Sequence, residues 1–97
     1  MRRRQNKVKF RLYFAADAPN SFQAKANLIE LGKRYFPGEH EIEWVDVLRE
    51  PKRALSDSVF MTPMLIKLSP APERRVVGTL SETATVLQAL GLDGKSE

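Results

Sequence analysis

The first half of the chain combines two periodicities in an order that constrains its topology. Residues 8–14 alternate apolar and polar side chains, which is typical of a strand with one buried face. Residues 21–36 place apolar side chains at helical spacing, and Pro37 and Gly38 end the predicted helix. Residues 42–47 are dense in Ile, Trp and Val and predict a second strand, buried on both faces. A strand, helix, strand unit of this length predicts two parallel strands joined by a right-handed crossover.

The predicted first helix carries an apolar stripe. Phe22, Ala26, Ile29 and Tyr35 or Phe36 recur at helical spacing, with Leu28 and Leu31 beside them, so we expect these residues to form the apolar face of the helix. Asp17 or Asn20 is a candidate N-cap, because both residue types accept hydrogen bonds from free helical N–H groups.

The second half predicts a helix over residues 48–58, strands over residues 64–68 and 74–79, and a last helix over residues 81–90. The two strands are joined by a short turn at residues 70–72, so they must be antiparallel. The whole order is β-α-β-α-β-β-α. One mixed sheet covered by helices satisfies it, which is the thioredoxin-like arrangement of an α/β protein.

The 97 residues suit one compact domain, which we assign to residues 8–92. Residues 1–7 form a basic arm and residues 93–97 a short tail, and we expect both to be flexible. The net charge of +4 raises the question of nucleic acid or acidic partners. Because the positive charge is concentrated in the arm, a solvated basic arm is favoured over an RNA- or DNA-binding one.

The chain contains no cysteine, which excludes disulfides, thiolate metal sites and cysteine nucleophiles. Thioredoxins carry a Cys-x-x-Cys pair at the start of their first helix, and this chain has Ala18-Pro19-Asn20-Ser21 there. A serine hydroxyl cannot replace a thiolate in disulfide exchange. A nucleophilic Ser21 would need a base, and the one histidine, His40, is predicted far from it. We therefore predict that Ser21 makes a hydrogen bond at the start of the helix.

The sequence gives only weak support for a metal site, a buried catalytic acid or a phosphate-binding loop. His40 stands between Glu39 and Glu41, but three consecutive loop residues do not converge on one metal ion, so a solvated turn is predicted. Asp46 is either a buried acid or a residue at a strand end that makes hydrogen bonds, and the second is favoured. The glycines are scattered and form no phosphate-binding loop. We predict no catalytic residue, no metal and no cofactor, and a binding module rather than an enzyme.

Several segments, spread over residues 8–92, are similar to the KaiB family of small clock proteins. They are Leu12-Tyr13, Ala18-Pro19-Asn20-Ser21, Val45-Asp46-Val47-Leu48, Pro51, Thr62-Pro63, Pro70-Ala71-Pro72 with Arg74-Arg75, and Val77-Gly78 before Leu80-Ser81. The Pro-Asn-Ser and Pro-x-Pro-x-Arg-Arg segments together make the resemblance specific.

The resemblance implies a cytoplasmic, non-enzymatic protein of a circadian clock or of a related timer or stress system. Such a protein binds the N-terminal ATPase ring of KaiC, a hexameric kinase and phosphatase, and modulates its phosphorylation cycle. It then captures KaiA or competes with a sensor histidine kinase that has a similar domain. By resemblance, the contact residues include Asn20, Ser21, Lys25 and Asn27. We expect Lys25 on the helix face away from Phe22 and Ile29, where a cation can meet an acidic ATPase surface.

The resemblance also implies two folds of one sequence. The ground state is a homo-oligomer, a dimer or usually a tetramer, with the order β-α-β-β-α-α-β, whereas a rarer thioredoxin-like monomer binds KaiC. The predicted fold-switch residues are Thr62, Pro63, Pro70, Pro72, Gly78 and Thr79. We expect the Thr62–Pro63 peptide to be cis in the thioredoxin-like form, and Gly78 to have positive φ in one fold only.

Three alternatives stay open at this point. The chain could be a redox-inactive thioredoxin-like adaptor that holds glutathione at Thr62-Pro63 without chemistry. It could be the interaction domain of a sensor histidine kinase. It could also bind nucleic acid through residues 1–7, for which a steep salt dependence is expected.

Overall fold

A computed structural model describes residues 7–93, which form four strands and three helices. The elements are β1 (Val8–Phe14), α1 (Pro19–Tyr35), β2 (His40–Asp46), α2 (Pro51–Ser56), β3 (Met64–Ser69), β4 (Arg74–Val77) and α3 (Thr83–Ala89). This order confirms the predicted β-α-β-α-β-β-α arrangement. Apart from Lys7 and Asp93, the predicted basic arm and the predicted tail lie outside the described residues.

The four strands form one mixed sheet in the order β2-β1-β3-β4. β1 pairs with β2 in parallel and β3 pairs with β4 antiparallel, as predicted. β1 also pairs with β3, in the antiparallel direction. The expectation that β2 is buried on both faces is wrong. β2 lies at an edge of the sheet and has one neighbouring strand, so Val45 is buried while Trp44 is 39% exposed.

Each face of the sheet supports its own hydrophobic core. Leu12, Leu28 and Leu65 belong to the larger core, which the sheet shares with α1 and α3. Val45 and Ala54 belong to the smaller core on the other face, under α2. β1 supplies both cores, because successive side chains of a strand point to opposite faces.

The predicted apolar face of α1 is correct for Leu28 and Leu31, which are buried, and wrong for Phe22 and Ile29. Phe22 is 77% exposed and Ile29 is 43% exposed. The face that packs on the sheet consists of Ser21, Ala24, Leu28, Leu31 and Gly32. The small side chains of Ser21, Ala24 and Gly32 let the helix approach the sheet closely. The predicted cap is also wrong, because α1 begins at Pro19, after Ala18, without a side-chain capping bond.

His40 shows how closely α1 approaches β2. A Cβ added at Gly32 would lie 2.3 Å from Nε2 of His40. The Nδ1 atom of His40 lies 2.8 Å from the Phe36 carbonyl oxygen, at the end of the helix. The expected solvated turn is therefore wrong, since His40 begins β2 and its half-buried ring fills the space above Gly32.

Candidate functional site

The start of α1 is held by a hydrogen bond from Ser21. The Ser21 side chain is buried, and its Oγ accepts a hydrogen bond from the Ala15 N–H at 2.9 Å. This confirms the predicted hydrogen bond at the start of the helix. It also fixes the loop that joins β1 to α1, and Asn20 is exposed beside it.

Asn27 connects α1 to the segment after β4. Its Nδ2 donates a hydrogen bond to the Thr79 carbonyl oxygen at 2.8 Å. A residue predicted to contact a partner and a residue predicted to take part in fold switching are thus in direct contact. This bond couples the position of the Gly78-Thr79 segment to that of α1.

Lys25 lies in a shallow groove between α1 and β2. The groove is lined by Phe22, Lys25, Ala26, Ile29 and Trp44, and we call it the α1–β2 groove. The expectation that Lys25 faces away from Phe22 and Ile29 is wrong, because all three side chains line the same groove. The sequence did not predict this arrangement, because Phe22 and Ile29 have the spacing of core residues.

A cation–π contact orients the Lys25 side chain. Its Nζ lies 4.0 Å from the centroid of the Phe14 ring, at the end of β1. Such contacts are worth about 0.5–1 kcal/mol at partly exposed sites. The groove therefore presents one positive charge among exposed apolar side chains, which suits a partner surface that is apolar and carries a carboxylate.

A second polar cluster attaches α2 to the sheet. The Arg11 guanidinium bonds Glu43 at 2.7 Å and Asp57 at 2.9 Å, Arg53 bonds Glu43, and the Tyr13 hydroxyl donates to Asp57. We call these five residues the α2 ion-pair network. The alternation of residues 8–14 places Arg11 and Tyr13 on the polar face of the predicted first strand. The alternating pattern gives no sign that a short helix covers that face.

The α2 ion-pair network shifts the pKa values of its members. Burial raises the pKa of Tyr13 to about 12, and its hydrogen bond to Asp57 adds to the rise. The hydrogen bond from Tyr13, and then that from Arg11, hold the pKa of Asp57 below its usual range. Hydrogen bonds from Arg11 and Arg53 lower the pKa of Glu43. Both acids are therefore held ionised and accept hydrogen bonds that attach α2 to the sheet.

We expect Asp57→Asn to lower the free energy of unfolding at neutral pH by about 1–2 kcal/mol, because two donors lose a charged acceptor. The folded-state pKa of Asp57 lies below the unfolded one, so its contribution is complete above the unfolded pKa and is lost as pH falls through the folded pKa. Urea unfolding at neutral and acidic pH measures this. The exposed Asp17→Asn is the matched control. A deficit that persists unchanged in acid would contradict the charge-based role.

The fold-switch residues lie at the two ends of the β3–β4 hairpin. Thr62 and Pro63 precede β3, and Gly78 and Thr79 follow β4 at the same end, where the Gly78 N–H donates to the Pro63 carbonyl oxygen at 3.0 Å. Pro70 and Pro72 lie in the turn at the other end. The peptide bonds before all three prolines are cis, as expected for Thr62–Pro63.

Asp46 has a structural role at the end of β2. Its Oδ1 accepts a hydrogen bond from the Leu48 N–H at 2.9 Å, which confirms the prediction that Asp46 makes hydrogen bonds at a strand end. Residues 7–93 contain no cluster of His, Asp and Glu side chains that could hold a metal ion. No helix within that range is long and apolar enough to cross a membrane.

We expect the protein to give no turnover above buffer in an insulin-reduction assay with dithiothreitol. The chain has no cysteine, and the hydroxyl of Ser21 is buried and already bonded to Ala15. A bona fide thioredoxin assayed in parallel is the positive control. Turnover comparable to that control would show that the fold carries redox chemistry by an unrecognised route.

Comparisons with known proteins agree on family and fold. The pattern of the KaiB domain matches residues 11–92. The circadian clock protein KaiB3 of Synechocystis sp. is 38% identical over 88 residues, which cover 91% of this chain and 84% of that protein. A circadian clock oscillator protein KaiB of Prochlorococcus marinus is 40% identical over 83 residues, which cover 86% of this chain and 77% of the relative.

Solved structures of thioredoxins are among those with a similar fold. Chloroplastic thioredoxin z superposes with a TM-score of 0.73 at 16% identity, over 90% of this chain and 78% of its own. Mitochondrial thioredoxin 3 of Saccharomyces cerevisiae gives a TM-score of 0.70 at 15% identity, over 90% of this chain and 79% of its own. At this level of identity the likeness shows a thioredoxin-like fold and carries no activity with it.

Proposed function

This chain belongs to the KaiB family, and from that premise we propose that it is a non-catalytic regulatory protein of a circadian clock or related timer. In the cytoplasm it binds the ring of a KaiC-type hexameric ATPase and modulates the ring's phosphorylation cycle. The observation that supports this most is the α1–β2 groove, with the Lys25 ammonium set among exposed apolar side chains.

The groove has the composition of a protein-binding surface. Aromatic residues and buried charges dominate the binding energy of interfaces, and a rim of weaker contacts excludes water around them. Phe22 and Trp44 supply exposed aromatic surface, and Lys25 supplies the charge. A carboxylate on the ATPase would pair with Lys25 as the apolar side chains lose water.

The four proposed contact residues divide into two roles. Asn20 is exposed and Lys25 lines the groove, so both are placed to touch the partner. Ser21 and Asn27 already hold Ala15 and Thr79 by hydrogen bonds. We assign them the positioning of the loop before α1 and of α1 itself.

The second fold is part of the same proposal. The thioredoxin-like form binds the ATPase, and a homo-oligomeric form with the order β-α-β-β-α-α-β stores the protein. The residues that change are Thr62, Pro63, Pro70, Pro72, Gly78 and Thr79, which lie at the two ends of the β3–β4 hairpin. The bound form would then recruit a KaiA-like protein or exclude a sensor histidine kinase.

The partner is tested by affinity capture followed by titration. The immobilised protein is exposed to host lysate, captured proteins are identified by mass spectrometry, and the purified candidate is titrated against the purified chain. We expect a KaiC-type ATPase that binds saturably. Capture of nucleic acid that nuclease removes, or of glutathione-dependent enzymes without an ATPase, would overturn the proposal in favour of an arm-mediated or adaptor function.

A further inference from the structure

Lys67 is a charged residue in the interior of the domain. It lies on β3, next to the middle of the sheet, and is 2% exposed, among the largest fully buried side chains. Within residues 7–93 its ammonium makes no ion pair and no side-chain hydrogen bond, unlike Lys7, which pairs with Glu41. A buried cation without a carboxylate partner is rare, because burial removes its hydration without replacing it.

The surroundings of Lys67 do not neutralise it. From β1 its paired neighbour is Phe10, and from β4 it is Arg74, whose guanidinium has the same sign of charge. Gly91, which follows α3, is also near: the Nζ of Lys67 lies 3.9 Å from the position that a Cβ would take on Gly91. The carbonyl end of α3 offers only the partial negative charge of a helix C-terminus. Burial, and then the charge of Arg74, lower the pKa of Lys67.

We propose that Lys67 is a destabilising charge built into the thioredoxin-like fold, so that this fold becomes more populated when the Lys67 ammonium loses its charge. Its effect on stability is independent of any partner, and only its effect on the balance between two folds rests on the proposed function. The charge of Lys67 changes the stability of the fold itself. No ligand is needed, because the free energy comes from burying the ammonium of Lys67.

The direction of the pH effect follows from linkage. The unfolded chain keeps the Lys67 proton up to the ordinary lysine pKa, whereas the folded chain loses it at lower pH. Between those two pKa values the unfolded state binds more protons, so the stability of the fold rises with pH. Below the folded pKa the destabilisation is complete and does not change with pH.

Thermal unfolding of three proteins between neutral pH and about pH 10 tests the proposal. Lys67→Met keeps an unbranched side chain and removes the charge, and it should raise Tm near neutral pH by about 5 °C or more. The gain should shrink as pH rises. Lys9→Met makes the same change at an exposed position of β1 and should shift Tm by less than about 2 °C.

Two results would overturn the proposal. One is a Tm of Lys67→Met equal to or below that of the parent; the other is a gain that does not vary with pH, which would indicate packing alone. If Lys67→Met does not fold, the parent protein still decides, because an NMR titration of its Lys67 side chain must show loss of the proton at lower pH in the folded chain than in the urea-unfolded chain. Tyr13, whose pKa is about 12 in the fold, is present in every variant and cancels in each difference.

The same variants separate this inference from the proposed function. If Lys67→Met shows the expected pH-dependent Tm but no KaiC-type ATPase binds any variant, the inference stands and the proposed function fails. If the ATPase binds the parent but the Tm pattern is absent, the inference fails alone. With both correct, Lys67→Met should bind the ATPase about tenfold faster at limiting concentrations, since more of the protein is in the competent fold.

Discussion

Lys25→Glu should weaken binding to a KaiC-type ATPase by well over about tenfold while leaving the fold intact. The substitution places a carboxylate where the proposed partner surface carries one, so an attraction becomes a repulsion. It also removes the contact between the Lys25 ammonium and the Phe14 ring, which is worth about 0.5–1 kcal/mol. Equilibrium titration and unfolding of the same preparations separate the loss of affinity from the small loss of stability.

Lys52→Glu is the matched control for that experiment. Lys52 is exposed on α2, on the opposite face of the sheet from α1, and the substitution changes the net charge by the same amount. Its effect should be limited to a modest change in association rate. Equal weakening by the two variants would show that net charge governs binding. Unchanged affinity for Lys25→Glu would place the interface elsewhere.

Gly78→Ala should lower the population of the thioredoxin-like fold by about tenfold. Gly78 has a φ of +121°, a conformation that a residue with a Cβ adopts only with strain of about 1–3 kcal/mol. An added Cβ would meet no atom within 4 Å, so the cost comes from the backbone alone. NMR peak volumes of the two folds, and association kinetics with the ATPase, measure the change.

Gly38→Ala controls for backbone strain as such. Gly38 has a φ of +73°, and a Cβ added there would also meet no atom within 4 Å. It lies between α1 and β2, in the half of the chain that the two proposed folds have in common. The substitution should lower stability without altering the ratio of the two folds. A population shift of equal size in both variants would contradict a specific role for Gly78, and one set of NMR peaks under all conditions would contradict fold switching.

Local periodicity was sufficient to predict the order of the elements and two of the three strand pairings, but not the antiparallel pairing of β1 with β3. β1 alternates cleanly, Pro37-Gly38 ends a helix, and a short turn forces β3 and β4 to be antiparallel. These features depend on residues that are close in sequence, so they can be predicted from the sequence alone. The edge position of β2 was missed, because an edge strand dense in Ile, Trp and Val has the same pattern as a central one.

The side-chain arrangement at the candidate site could not be predicted, because it depends on which of two stripes of α1 packs on the sheet. Hydrophobicity favoured the stripe of Phe22 and Ile29, but close packing at Gly32 against His40 favoured the other. The rotation of the helix then moved Lys25 into an apolar groove. The burial of Lys67 was missed for a related reason, since the charge interrupts an apolar strand whose burial depends on distant elements.

Hydrogen exchange of the chain alone and bound to the purified ATPase ring tests the central claim most directly. Binding through the α1–β2 groove should slow exchange in the first half of α1 and along β2, whose outer edge has no partner strand within the described sheet. Exchange in β4 and α3 reports the proposed change of fold, so protection there does not count as evidence for the interface. Protection confined to α3 and β4, or no protection at a saturating concentration of the ring, would contradict the proposed interface.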